Sequence, residues 1–190
     1  MWVKIAIYCT IIISTSCTHW KTQRDIKDFR TTVIKMPSKS EMIQNGKHVI
    51  DTCIQPNTPK IKLIVYYASE GCVSCNVNHL DNWEDLFRLG PRNLFSPIII
   101  FSPNAEQYET LINSLKLQGF HFPIYIDKNN IFQQLNKKLP ADTRYHIFLL
   151  DKWNNVILVG NPLSGDAMWN LFKSTLENML AHDGEYVPEN

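Results

Sequence analysis

Cys72 and Cys75 are separated by two residues and lie between an apolar run and a helical pattern; in this 190-residue chain they are the side chains best placed to do chemistry. A Cys-x-x-Cys pair in the first turn of a helix brings its sulfurs within bonding reach, with the first exposed and the second shielded. The unpaired N–H groups of that turn and the positive end of the helix dipole stabilise a thiolate, the nucleophilic form of cysteine. This assigns attack to Cys72 and resolution of the resulting mixed disulfide to Cys75. Zinc ribbons use the same spacing but need a second pair, and the sequence has none. His79 follows Cys75 by four residues and is read as a surface histidine, because no fourth ligand stands nearby. Glu70, two positions before Cys72, is read as facing solvent.

The chain holds five cysteines, and the other three are Cys9, Cys17 and Cys53. One close pair and a leftover thiol do not make the multiply bridged scaffold of a small secreted domain, so Cys53 is read as a small buried hydrophobe. At the N-terminus Lys4, the apolar run Ile5 to Ile13, and Ser14, Thr15, Ser16 and Cys17 follow in the order of an export signal. The apolar run is short of the about 20 residues that span a bilayer. The small residues before Cys17 resemble the lipobox of bacterial lipoproteins. That resemblance implies cleavage before Cys17, lipidation of its thiol, and a periplasm-facing lipoprotein of the bacterial cell envelope, attached to the membrane through Cys17. An uncleaved anchor, or a simple secretory signal with Cys17 as a bystander, stays open; each of these exports the domain.

Length allows one ordinary domain, and a formal net charge of +1 with scattered Lys and Arg excludes the basic stripe that nucleic acid requires. Residues 1–17 are read as signal and lipobox, 18–45 as a tether that can hold a short helix, 46–185 as the domain, and 186–190 as a polar tail. His48, Val49 and Ile50 suggest an edge strand. Lys62 to Ala68, KLIVYYA, is a nearly unbroken β-branched and aromatic run, the pattern of a strand buried on both faces. Val77, Leu80, Trp83, Leu86 and Phe87 then recur at helical spacing up to Gly90. Strands over Ser96 to Ser102 and Phe122 to Asp127 alternate with helices over Ala105 to Leu117 and Ile131 to Leu139. Tyr145 to Asp151 and Asn155 to Gly160 read as an antiparallel hairpin, and a last helix begins near Ser164. Trp83, Tyr66 and Tyr67 are read as core or rim packing.

The segments IVYYASEGCVSC and YHIFLLDKWNNVILVG, in this order of elements, resemble the thioredoxin-like superfamily, in particular its TlpA/ResA and redoxin-like branch, over Lys60 to Ala181. The resemblance implies an α/β thioredoxin-like fold with a central mixed sheet, an inserted β-α unit and a closing antiparallel hairpin. It implies thiol-disulfide exchange through Cys72 and Cys75 without a cofactor or metal, with exported protein thiols or disulfides, or an electron-donor redox protein, as partners. The chain departs from the family at three places. Gly71 stands where thioredoxins have Trp, Tyr66 where they have a buried acid, and Tyr145 near the place of the cis-proline, Pro140 lying farther upstream. Two further readings stay open: a non-catalytic binding lipoprotein with a structural disulfide, and a copper-handling protein, for which His146 lies near the closing strand.

Overall fold

The computed structural model describes residues 22–52, 54 and 59–188; Cys17 and Cys53 lie outside them. Helix α1 covers 22–29, and strands β1 (Ser40–Gln44) and β2 (Lys47–Thr52) follow as a hairpin. Asn45 and Gly46 both take positive φ, 50° and 71°, which a two-residue hairpin turn with the right twist requires. β3 (Ile61–Tyr67) leads into α2 (Val73–Asn78), then come β4 (Phe95–Phe101), α3 (Ala105–Gln118), β5 (Ile124–Ile126) and α4 (Ile131–Leu135). β6 (Ile147–Leu150), β7 (Val156–Val159) and α5 (Asp166–Ala181) close the chain.

The seven strands form one mixed sheet in the order β2-β1-β5-β4-β3-β6-β7. β3, β4 and β5 run parallel, and every other pairing is antiparallel. The mixed α/β sheet, the inserted β5-α4 unit and the β6-β7 hairpin are those the sequence predicts. β3 explains its own apolar run, because its alternate residues serve two cores. Leu63 and Val65 pack with Val77, Leu111 and Phe172 on one face, while Ile64 and Tyr66 pack with Phe29, Phe132 and Phe148 on the other.

Two expectations give way. The stretch 18–45, read as a tether, belongs to the fold from residue 22 onward: Phe29 is 0% exposed, Ile34 is buried, and β1 pairs with β5. The backbone of residues 32–34 is tied to the closing hairpin by Ile34 N–H to Asn154 O (2.9 Å) and Val156 N–H to Thr32 O (3.2 Å). The domain therefore does not begin at 46. The helix expected from the cysteine pair to Gly90 is a single short α-helix that stops at Asn78, followed by a 3₁₀ segment, Leu80–Arg88. Leu80, Trp83 and Leu86 are three residues apart, the period of a 3₁₀ helix, so that winding keeps all three on one buried face.

Candidate active site

The site is the turn between β3 and α2. Gly71 N–H bonds Ala68 O at 3.2 Å and turns the chain, and Cys72 then caps α2 in an extended conformation with φ −75° and ψ 102°. Its Sγ accepts the N–H of Cys75 at 3.3 Å. Cys72 and Cys75 are joined as a disulfide, with Cα atoms 5.3 Å apart. The bond to the Cys75 N–H gives a Cys72 thiolate a donor once the disulfide is reduced.

Both cysteines are exposed, which corrects the expectation that Cys75 is shielded. Val77 is the buried anchor of α2, and two residues turn a helix through about 200°, so a side chain at Cys75 faces away from the core. Glu70 is exposed as expected, and so is His79, at the break between α2 and the 3₁₀ segment. Sequence reasoning missed Gln107. It sits in a capping box with Asn104 at the start of α3, and its Nε2 donates to Ser69 O at 3.0 Å, bracing the turn that carries the cysteines. The Asn-x-x-Gln spacing signals the cap; the brace to Ser69 depends on the tertiary fold. A cleft of ≈ 580 Å³, bordered by Ser69, Asn104, Tyr108, Lys128 and Asn130, opens next to this turn.

Tyr66 and Trp83 are buried, as the core reading expects, and Trp83 donates its indole N–H to Tyr67 OH at 2.9 Å. Tyr66, in the place of the family's acid, donates to Asn130 Oδ1 at 2.9 Å, and burial pushes its phenol up to about 12. It is no base at neutral pH. Tyr145 ends the 3₁₀ turn Thr143–Tyr145 just ahead of β6. The carbonyl of Pro140, six residues upstream, lies 2.8 Å from His146 Nε2. Nε2 is therefore the protonated nitrogen, and Nδ1 is left as a buried acceptor with no partner among the described residues. His146 is 4% exposed, packs its ring 5.4 Å from Tyr66, and accepts the Tyr66 N–H on its own carbonyl.

Burial lowers the His146 pKa below the ordinary 6.5, against the opposing pull of the Pro140 carbonyl, Glu70 and Asp142. The unfolded chain takes up a proton near pH 6.5 and the folded chain only at lower pH, so the unfolded state holds more protons in that window and stability falls as pH drops through it. Denaturant midpoints at pH 7.5 and about 5.5 should therefore differ more for the wild type than for His146→Gln, whose amide can still donate to Pro140 O. An equal drop in both proteins would remove His146 from the account.

No protein-family model and no curated protein matches the sequence. Among solved structures, an uncharacterized conserved protein from Geobacillus kaustophilus is similar with a TM-score of 0.52 at 15% identity, over 84% of this chain and 87% of that one. A thiol-disulfide isomerase from Corynebacterium glutamicum is similar with a TM-score of 0.52 at 14% identity, over 77% of this chain and 96% of that one. At such identities the likeness is one of fold. Taken with the strand order and a Cys-x-x-Cys disulfide at the end of β3, it establishes that the chain has a thioredoxin-like fold.

Proposed function

We propose that the chain is a thiol-disulfide oxidoreductase of the bacterial cell envelope, using Cys72 as nucleophile and Cys75 as resolver, and held at a membrane through a lipidated Cys17. The observation that carries the reaction is an exposed Cys72–Cys75 disulfide whose first sulfur accepts a backbone N–H. In the reducing direction, the Cys72 thiolate attacks a partner disulfide and expels one partner thiolate, which takes a proton from solvent. Cys75 then loses its proton and attacks Cys72 Sγ, releasing the second partner thiol and closing the Cys72–Cys75 bond. Two electrons pass to the partner, and no cofactor takes part. The cleft beside Ser69 offers an approaching chain hydrogen-bonding groups beside the turn that leads to Cys72.

The titration of the pair against glutathione and dithiothreitol buffers, followed by thiol trapping, tests this reading. A reversible potential between about −120 and −270 mV is expected, and its value gives the direction of exchange. A potential below about −300 mV would instead make the bond a structural one in a binding module.

A further inference from the structure

Away from the disulfide, residues 29–35 and 134–139 enclose a groove of ≈ 590 Å³. Its walls are fixed to one another by Asn136, which accepts Lys35 N–H at 2.9 Å and donates to Lys35 O at 2.9 Å and to Phe132 O at 2.7 Å. Val33 and Leu135 stand on it 57% and 41% exposed. Lys35, Lys137 and Lys138 line it, all exposed, and among the described residues no carboxylate does. None of the three lysines forms an ion pair among the described residues. Exposed apolar side chains ringed by long cationic stems match the boundary between acyl chains and phosphate headgroups, where lysine extends its charge to the phosphate while its methylenes cover apolar surface.

The location of the groove favours a membrane over an acidic peptide. Phe29, at the end of α1, lines it, and Thr22, the first described residue of α1, follows Cys17 by five positions. Those five residues span at most about 18 Å. The register places residues 32–34, one wall of the groove, at the end of the sheet away from the disulfide, while the other wall runs on to Pro140, whose carbonyl lies beside His146. β3 and β6 pair from Val65↔Ile147, on the cysteine side, down to Lys62↔Leu150, and the turn beyond Leu150 is where residues 32–34 are bound.

We infer that this groove, with Lys35, Lys137, Lys138, Val33 and Leu135, is a docking surface for an anionic phospholipid bilayer. The inference rests on the proposed Cys17 anchor for the nearness of the membrane, whereas the surface itself should bind without the anchor. The test uses the chain from Thr18 onward, which retains every described element, with vesicles of phosphatidylglycerol and phosphatidylethanolamine or of phosphatidylcholine alone. Sedimentation should show salt-sensitive binding to the anionic vesicles only. The triple variant Lys35→Gln, Lys137→Gln, Lys138→Gln should bind about 100-fold more weakly, since each lysine charge is worth about fivefold near an anionic surface. Equal binding to both vesicle types, or no loss in the triple variant, would overturn the inference. Tighter binding of soluble polyglutamate than of vesicles would also overturn it and assign the groove to an acidic polypeptide. Disulfide exchange by the same preparations, and lipid labelling of Cys17 in the full chain, read the proposed function separately.

Discussion

Cys72→Ser reduces thiol-disulfide exchange to the buffer background, and Cys75→Ala stalls it as a mixed disulfide. The reaction needs a thiolate, and a serine hydroxyl at the same place does not ionise near neutral pH or exchange with a disulfide. Without Cys75 the first attack proceeds, but the partner stays attached until an outside thiol releases it. Intact-mass measurement after one equivalent of a model disulfide should therefore show a full adduct on Cys75→Ala and none on Cys72→Ser. This outcome is not guaranteed by exposure, because Cys75 is exposed as well. It rests on the N–H of Cys75, which points at the Cys72 sulfur and lowers the cost of charge there. An adduct on Cys72→Ser, with exchange near the wild-type rate, would transfer the nucleophile to Cys75 and remove the backbone donor from the argument.

Much of this was legible in the sequence wherever one residue pattern had a single physical reading. The apolar run of β3 fits only a strand covered on both sides, and the pair that follows it fits the start of a helix. Asp151 shows how local chemistry is read from local sequence: its carboxylate accepts Trp153 N–H at 2.9 Å and Asn155 N–H at 2.8 Å, the turn that the Asp-containing segment predicts. Asp127 behaves alike, accepting Ile131 N–H at 2.9 Å and Phe132 N–H at 2.7 Å to cap α4.

The readings that differ from the structure depend on distant partners or on choosing between two close periods. Where the sequence suggests one edge strand there are two, β1 and β2, joined at Asn45-Gly46, a dipeptide suited to a two-residue hairpin turn. The three-residue spacing from Leu80 to Leu86 fits an α-helix passably and a 3₁₀ helix better. His146 could not be judged from its neighbours in sequence, since its surroundings come from Tyr66 and Pro140. The exposure of Cys75 was hidden because it follows from Val77 being the residue by which α2 is anchored.

Phe29→Ala should cost about 3–5 kcal/mol, a large share of the 5–15 kcal/mol that holds a domain of this kind together. Its polar, charged neighbours give no hint of this, and as part of a tether it would be worth nothing. In the fold it is 0% exposed, meets Phe148 edge-on with ring centres 5.0 Å apart, and belongs to the same cluster as Ile64 and Phe132. Removing the ring leaves a cavity under the sheet that residues 32–34, tied to Asn154 and Val156, cannot move in to fill. Val33→Ala, on the exposed side of the same segment, should change stability by no more than about 0.5 kcal/mol. Urea midpoints of the two variants against the wild type provide the comparison. If Phe29→Ala proves as mild as Val33→Ala, the segment is not part of the core and the domain begins later in the chain. If it is as costly as expected, a chain cut at residue 46 should fail to fold, since the cut also removes β1 and bares the edge of β5 to pairing with other molecules.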